Sequence, residues 1–332
     1  MHRPFVYLIC LLLTVPTAFL SAQPATHVLD IAVPSGGTPL KRPADTYVDP
    51  RTHELYVADA GNGRVVIFDA RGRYDFAFTD PEHLTTPKQI AVDSLGRIYV
   101  LAESQGSKLT VFDYNGDYLK DVTLNDPATG QALDVVSFVM DQQDRIFGVT
   151  LLPAHLYVWS AGGTPLNNYP LFNDLDSLAR QQTLLGNLSI VNGDLMIPMP
   201  TLSSVARCTF DGKLVRTYGI AGGGAYGELA FPVAAAGDGH GGILVLDRMR
   251  HTLLDYKDDG TFVTERGGFG YSPGWFYMPN SLAAGPDGLC YVGQWYGGRV
   301  QGVRMNAEAA DGDGIAVSGS PMPAASNAGG KN

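Results

Sequence analysis

Apolar and polar residues alternate with a period of two in short runs between residues 48 and 78. This period is typical of β-strands, because successive side chains point to opposite faces of a sheet. Clusters of Asp, Pro, Asn and Gly separate the runs at residues 49–50, 60–63 and 69–72, where they predict tight turns. The pattern predicts a unit of four antiparallel strands. Because so small a sheet does not bury both faces by itself, further copies of the unit are expected.

The four-stranded unit recurs along the chain. The glycines that close the second turn of five successive units are Gly72, Gly116, Gly162, Gly212 and Gly260. By subtraction their spacings are 44, 46, 50 and 48 residues, and a first turn rich in Asp, Asn and Gly occurs six times. Four strands repeated with such a period are typical of propeller blades. The sequence therefore predicts an all-β fold, a six-bladed β-propeller of four-stranded antiparallel blades.

The two ends of the repeat region complement each other. The composition changes after Met305, so the last repeat has only three predicted strands. Ahead of the first blade, apolar and polar residues alternate over residues 27–33 as in an outer strand. We expect this N-terminal strand to complete the last blade and close the ring, which removes an exposed sheet edge. The propeller is thus predicted to span residues 23–305.

Two terminal segments have other compositions. Residues 1–22 combine a short basic start, an apolar run and small residues at Ser21 and Ala22. These features predict a secretory signal peptide cleaved near Ala22, and hence a secreted or periplasmic protein. Residues 306–332 are rich in Ala, Gly, Ser and Pro with few large apolar side chains, so a disordered tail is expected.

The formal net charge of the 332 residues is −10. Nucleic-acid binding depends on clustered Lys and Arg that neutralise phosphates, and the sequence contains no such cluster, so a nucleic-acid partner is excluded. No segment after the signal peptide has the length and apolar character of a membrane span. Cys208 and Cys290 fall in strand-like runs two blades apart, and a disulfide needs Cα atoms within about 7 Å, so two buried thiols are expected.

In residues 55–78, a Gly-rich loop is bracketed by Asp and Arg ahead of a strand. This arrangement resembles the repeat of the NHL family of six-bladed propellers, in the form found in secreted bacterial proteins. Residues 267–293, with glycines, an aromatic residue and a Pro ahead of an apolar strand, resemble the family's segment between blades. The Asp and Arg are expected to hold the loop by a charge-assisted hydrogen bond. Carried along the repeats, the pair is predicted at Asp59 and Arg64, Glu103 and Lys108, and Gln294 and Arg299, with Asp247 retained in the fifth blade.

The resemblance also implies a binding face, formed by the loops between second and third strands and between blades. Aromatic, Arg and His side chains on such loops are typical of recognition surfaces, and they are densest on the fifth and sixth blades. The candidate binding residues are Arg248, Arg250, His251, Tyr271, Trp275, Gln294, Trp295 and Tyr296. They predict a non-catalytic binding or scaffold propeller whose partner is an envelope or extracellular protein or a glycan.

An alternative function follows from the same resemblance, because some six-bladed relatives are metal-dependent lactonases or amidating lyases. Such enzymes use a divalent ion at the central channel to polarise a carbonyl or activate water. The ligands here would be Asp59, Glu103 and Asp247, with Ca²⁺ or another divalent ion. The His residues do not fall at one equivalent position in three blades, and neither Pro232 nor Pro279 is followed by the His that the lyases carry. The sequence therefore favours binding, without a cofactor or catalytic residues, over catalysis.

Overall fold

The computed structural model describes residues 22–103, 107–173, 183–222 and 224–305. Apart from Ala22, the predicted signal peptide lies outside the described residues, as does the predicted disordered tail. Within the described part of the chain, no helix is long and apolar enough to cross a membrane.

The described strands form six antiparallel sheets of four strands each, arranged in a ring, and this confirms the predicted six-bladed β-propeller. The first strand of the chain is β1 (Thr26–Ile31). Blade one contains β2 (Pro43–Val48), β3 (Leu55–Asp59), β4 (Arg64–Phe68) and β5 (Tyr74–Thr79). Blade two contains β6 (Pro87–Val92), β7 (Ile98–Ala102), β8 (Lys108–Phe112) and β9 (Tyr118–Thr123). Blade three contains β10 (Ser137–Met140), β11 (Ile146–Leu151), β12 (Ala154–Trp159) and β13 (Pro165–Pro170). Blade four contains β14 (Ser189–Val191), β15 (Asp194–Met199), β16 (Ser204–Cys208) and β17 (Leu214–Tyr218). A short parallel pair follows, β18 (Ile220–Ala221) and β19 (Glu228–Leu229). Blade five contains β20 (Pro232–Gly237), β21 (Ile243–Asp247), β22 (Thr252–Tyr256) and β23 (Phe262–Gly267). Blade six contains β24 (Pro279–Ala284), β25 (Cys290–Gln294), β26 (Arg299–Arg304) and β1.

Burial decreases from the middle strands of a blade to its outer edge. The middle strands β3 and β4 are buried at all five positions, because neighbouring blades cover both of their faces. The outer strand β9 is exposed at five of its six positions, and only Val122 is buried. The core is therefore a set of apolar layers between adjacent blades around the ring.

Blade six takes its outer strand from the N-terminal part of the chain. Strand β1 runs antiparallel to β26, with Asp30 opposite Gln301 and Ile31 opposite Val300. The Nε of Arg299 donates to Oδ1 of Asp30 at 3.0 Å. Strand β1 therefore covers the hydrogen-bonding edge of β26.

The second turns follow the predicted period with one correction. Four of the five predicted glycines adopt left-handed φ, between 74° and 85°. In blade three the left-handed residue is Gly163, with φ of 83°, rather than Gly162. The N–H of Gly163 closes the turn on the carbonyl of Ser160, as the N–H of Gly72 does on that of Asp69. Only the closing position requires a left-handed backbone, which glycine adopts without steric cost.

Cys208 and Cys290 are both buried and unpaired, as predicted. Burial raises the pKa of each thiol to about 12. Because the thiolate is the nucleophilic form, neither cysteine is a nucleophile at neutral pH.

Polar side chains on the inner strands connect blade one to blade two, blade two to blade three and blade three to blade four. Oδ2 of Asp45 in β2 accepts the N–H of Ile90 in β6 at 3.0 Å. At the equivalent position of blade two, Oε1 of Gln89 accepts the N–H of Phe138 at 2.9 Å. In blade three, Oγ of Ser137 accepts the N–H of Leu188, just ahead of β14, at 2.8 Å. These bonds lie deep in the ring, so their loss is costly.

Asp45 makes the stability of the propeller depend on pH. Burial raises the pKa of its carboxyl from 3.8 to about 7. The folded chain therefore binds more protons than the unfolded chain between these pH values, and the free energy of unfolding falls as the pH rises through them. In Asp45→Asn the amide keeps an acceptor for the Ile90 N–H without a charge. Between pH 5 and pH 7 we expect the native chain to lose on the order of 2 kcal/mol relative to this variant.

Urea unfolding of both proteins at pH 5, 6 and 7 measures this effect of Asp45. Burial also raises the pKa of Asp255, to about 6, but Asp255 titrates in both proteins and cancels in the comparison. Parallel stability curves for the native chain and Asp45→Asn would contradict the prediction.

Candidate functional site

A cavity of about 420 Å³ opens where the inner strands meet the loops between second and third strands. Its walls come from residues at or just before the starts of β2, β6, β14 and β24, and from second-to-third-strand loops of four blades. It therefore lies at one mouth of the central channel, and we call it the channel-mouth cavity. It is lined by Ala44, Ala60, Pro87, Lys88, Glu103, Asn187, Arg248, Met278, Asn280, Trp295 and Tyr296.

β-Bulges bring three of these side chains to the channel. In β2, β6 and β24, the pairing with the neighbouring strand skips the residue directly after the Pro that begins the strand. The skipped residues are Ala44, Lys88 and Asn280. A bulge re-aims the side chain of its extra residue, and all three residues line the cavity.

Arg248 brings a cation to the cavity. It follows β21, and its Nε donates to the carbonyl of Pro279 at 3.4 Å. Among the described residues no carboxylate forms an ion pair with it, and burial lowers the pKa of its guanidinium, an effect that the neighbouring Tyr296 partly offsets. Arginine stays protonated in proteins, so the guanidinium offers its remaining N–H groups to an anion.

Lys88 supplies a second cation. Its Nζ donates to the carbonyl of Val136 in the next blade at 2.7 Å. Burial lowers the pKa of Lys88, while the negative charges of Asp134 and Glu103 raise it. Because an ammonium group has three N–H donors, two remain beyond the bond to Val136.

Side-chain amides add hydrogen-bonding groups of the opposite kind. Nδ2 of Asn280 donates to the carbonyl of Ala44 at 2.8 Å, but its buried Oδ1 has no partner among the described residues. Asn187 contributes a second amide to the lining. An unpaired buried acceptor costs about 1–3 kcal/mol, and a donor from a ligand would offset that cost.

Two aromatic residues of the loop between β25 and β26 form one side of the cavity. Trp295 packs against the apolar layer between blades one and two, and the Arg42 guanidinium lies 5.6 Å from the centre of its ring. Tyr296 is 67% exposed, and its ring lies 6.1 Å from that of Tyr277. Trp295 is thus a fixed wall and Tyr296 an exposed rim.

The predicted Asp–Arg pair of blade one holds the chain segment that enters the blade. Asp59 is fully buried and accepts hydrogen bonds from the N–H of Lys41 at 2.6 Å, from Nδ2 of Asn62 at 2.8 Å and from Nε of Arg64 at 2.7 Å. Arg64 also donates to the carbonyl of Thr38 at 2.6 Å. All four partners are protein groups, so the pair acts within the fold.

The same position has the same role in blades five and six. Oδ2 of Asp247 accepts the N–H groups of Ala230 and Phe231 at 2.7 and 2.9 Å. Oε1 of Gln294 accepts the N–H of Tyr277 at 2.8 Å. Gln294, a candidate binding residue from the sequence, is therefore buried behind the cavity and does not line it.

In blade two the structure differs from the predicted register. Ala102 pairs with Pro87 as Asp59 pairs with Pro43, so Ala102 and not Glu103 occupies the repeat position. The loop after β7 is one residue longer than its counterpart in blade one, which moves Glu103 onto the loop, where it is exposed and lines the cavity. Lys108 forms its ion pair with Asp121 instead, at 2.5 Å.

Other candidates from the sequence make contacts within the fold. Arg250 forms two hydrogen bonds with the carboxylate of Glu265, at 2.7 and 2.8 Å. Nδ1 of His251 accepts the N–H of Met278 at 3.1 Å, and burial lowers the pKa of the imidazole. Neither residue lines the channel-mouth cavity.

The remaining two candidates lie on the segment between blades five and six. Trp275 is half-buried, and its ring packs so closely over Gly268 that a Cβ there would lie 2.7 Å from it. Tyr271 is 66% exposed, and its carbonyl accepts a hydrogen bond from Arg299 at 2.7 Å. The structure thus brings Arg248, Trp295 and Tyr296 together and places the other five candidates elsewhere.

The alternative metal ligands do not converge. Asp59 and Asp247 are buried and bound to protein N–H groups, and Glu103 alone lines the cavity. In the part of the chain that the structure describes, no three His, Cys, Asp or Glu side chains are placed to hold a metal ion.

Sequence reasoning did not single out Lys88, Asn187 or Asn280. The signal for two of them is a polar residue directly after the Pro that begins an inner strand, as in Pro87-Lys88 and Pro279-Asn280. Such a residue interrupts an otherwise apolar strand at the place where the bulge turns it towards the channel.

Fold and site together define a six-bladed β-propeller with a polar and partly aromatic cavity at one mouth of its channel. The model of the NHL repeat family matches residues 40–68 of the chain. The match contains the Asp59–Arg64 repeat of blade one and confirms the resemblance that the sequence predicted there.

Solved structures share this architecture. A streptogramin B lyase aligns with a TM-score of 0.56 at 14% identity, over 85% of this chain and 98% of that chain. Virginiamycin B lyase from Staphylococcus aureus aligns with a TM-score of 0.54 at 13% identity, over 84% and 89%. A protein of unknown function from Bacteroides caccae aligns with a TM-score of 0.54 at 14% identity, over 74% and 83%. At such identities the likeness concerns the fold alone. No curated protein matches the chain.

Proposed function

We propose that this chain is a non-catalytic binding propeller that holds its partner at the channel-mouth cavity. The observation that carries the proposal is the guanidinium of Arg248, which lines the cavity half-buried and without an ion-pair partner among the described residues. A cation removed from water is costly unless a counter-charge meets it. An anionic group of a partner would supply that charge.

The composition of the lining favours binding over metal-assisted hydrolysis or elimination. Glu103 is the one carboxylate among the described lining residues, which include no His or Cys. Metal-dependent chemistry needs several nitrogen or oxygen ligands around one ion. The cavity instead combines two cations, two amides and two aromatic rings, a mixture typical of ligand recognition.

The sequence of residues 1–22 supports export, so the partner is proposed to be an envelope or extracellular glycan or protein. The bulk of the propeller provides a rigid frame, because the cavity walls come from strands and short loops of several blades. A rigid frame lowers the entropic cost of binding.

A binding screen tests the proposal. Residues 23–332 and the variant Arg248→Gln are exposed to a panel of immobilised glycans and a library of short peptides. We expect the native chain to retain at least one probe, to release it with unchanged mass, and to lose at least about tenfold in affinity in Arg248→Gln. Arg71→Gln is the matched control, since Arg71 is exposed on a third-to-fourth-strand turn of the opposite face.

Two outcomes of this screen would overturn the proposal. If the native chain and Arg248→Gln retain the probe equally, the cavity is not the binding site. A chemical change in a retained probe would establish catalysis, and Lys88, whose pKa burial lowers, would be the first proton-transfer group to test.

A further inference from the structure

Charge is the first guide to the ligand of the channel-mouth cavity. Arg248 and Lys88 both line it, and neither forms an ion pair with the described residues, whereas Glu103 is the single carboxylate among the described lining residues. The excess of positive charge is local, because the whole chain carries a formal charge of −10. Two cationic side chains in the lining of one cavity favour an anionic ligand such as a carboxylate.

Unpaired acceptors are the second guide. The buried Oδ1 of Asn280 has no hydrogen-bond partner among the described residues, and Asn280 is only 6% exposed. The carboxylate of Glu103 and the amide of Asn187 also line the cavity. A carboxylate ion has no donor for these atoms, so the ligand also carries O–H or N–H groups.

Aromatic rings are the third guide. Next to Tyr296, which lines the cavity with Trp295, a cluster of rings lies on the segment that enters blade six. The centre of the Tyr277 ring lies 6.1 Å from that of Tyr296, 5.0 Å from that of Tyr271 and 5.5 Å from that of Phe269. Tyr271 and Phe269 are 66% and 61% exposed. Such a cluster with exposed rings offers apolar surface to a chain that leaves the cavity.

We infer that the channel-mouth cavity binds a sugar that carries a carboxylate, such as a uronic acid at the end of an acidic glycan. In this arrangement Arg248 and Lys88 hold the carboxylate, and sugar hydroxyls donate to Asn280 and Glu103. The apolar face of the sugar ring lies against Trp295, and the following sugars run along the exposed rings. The inference rests on the proposed binding function and assigns its ligand class.

Volume and hydrogen-bonding capacity favour a sugar over the carboxyl end of a peptide. At about 420 Å³ the cavity is near the lower end of small-molecule sites and holds about one or two sugar rings. Each sugar hydroxyl both donates and accepts, so one ring satisfies several amide and carboxylate groups at once. A peptide offers one backbone N–H per residue, and its terminal carboxylate is typically captured by backbone N–H groups rather than by two side-chain cations.

Calorimetric titration of residues 23–332 tests the inference with five named probes. These are D-glucuronic acid and D-galacturonic acid, the neutral sugars D-glucose and D-galactose, and the peptide tri-alanine. We expect the uronic acids to bind at least about tenfold more tightly than the neutral sugars, with an affinity that falls as the salt concentration rises.

Variants that each remove one positive charge show which side chains cause the preference for uronic acids over neutral sugars. Lys88→Gln and Arg248→Gln are each expected to reduce the uronic acid preference at least about tenfold, while Lys120→Gln, on the exposed outer strand β9, leaves it unchanged. Equal binding of uronic and neutral sugars, or a preference that survives in both cavity variants, would overturn the inference. Thermal melting of each variant verifies that it is folded.

The two proposals fail in different ways. If tri-alanine or the neutral sugars bind most tightly, and Arg248→Gln weakens them, the carboxylate sugar is wrong and the binding function of the cavity stands. If neither these five probes nor any member of the glycan and peptide panel binds at the cavity, both proposals are wrong.

Discussion

Asp59→Ala is expected to lower the free energy of unfolding by about 3–5 kcal/mol. The carboxylate of Asp59 is fully buried and accepts three hydrogen bonds, from Lys41, Asn62 and Arg64. Without it, the Arg64 guanidinium, whose side chain is only 11% exposed, keeps a buried charge that is no longer compensated. Breaking a buried pair by removing one partner is therefore much more costly than breaking an exposed one.

Denaturant unfolding of three variants measures this contribution. The control is Asp121→Ala, which removes the pair with Lys108, where both side chains are 30% exposed; its expected cost is about 1 kcal/mol or less. The double variant Asp59→Ala/Arg64→Met removes both charges, so it should recover part of the stability that Asp59→Ala loses. Equal costs for Asp59→Ala and Asp121→Ala would contradict the prediction.

The Asp59 experiment also tests whether the residues at this repeat position stabilise the fold rather than bind a ligand. Asp59, Asp247 and Gln294 receive backbone N–H groups of the segment that enters their blade, at 2.6 to 2.8 Å. Their recurrence at one position in blades one, five and six therefore serves the architecture of the ring. Ligand recognition is assigned to other residues, at the channel mouth.

The blades follow from local sequence because their determinants are close together in the chain. Strand alternation is set by neighbouring residues, and each turn closes within about four residues, as the N–H of Gly72 does on the carbonyl of Asp69. The errors of register have the same local character. An extra residue in the loop after β7 moves Glu103 out of the predicted pair. In blade three the turn contains two adjacent glycines, and the sequence alone did not show that Gly163 rather than Gly162 closes it.

The channel-mouth cavity does not follow from local sequence, because its residues are distant in the chain. Lys88 and Arg248 are 160 positions apart by subtraction and line one cavity only because the ring brings their blades to one channel. The direction of the Lys88 side chain depends on a bulge, and a shift of one residue in a strand turns a side chain to the opposite face. The aromatic, Arg and His residues singled out on loops include Trp295 and Tyr296, which line the cavity, but also Arg250, which is bound to Glu265.

Removal of residues 23–33 is expected to abolish cooperative folding of the propeller. Strand β1 lies within this segment, and its loss exposes the edge of β26 and uncovers Leu29 and Ile31, which pack against Gly72 at the second turn of blade one. The N–H of Gly267 also loses its acceptor, the carbonyl of Gln23 at 2.7 Å. The buried Ile31 alone contributes about 2–5 kcal/mol, so its loss together with that of the partly buried Leu29 and the pairing of β1 approaches the 5–15 kcal/mol that stabilises a typical domain.

Circular dichroism melting and light scattering of residues 23–332 and 34–332 measure the effect of β1. The shortened chain should melt without a sharp transition and associate through the exposed edge of β26. Two point variants separate side-chain burial from strand pairing: Ile31→Ala, at a site 4% exposed, should cost about 2–5 kcal/mol, and Val28→Ala, at a site 42% exposed, less than about 0.5 kcal/mol. If residues 34–332 melt at the same temperature as the longer chain, the blade does not depend on β1, and the ring is held by contacts between the inner strands alone.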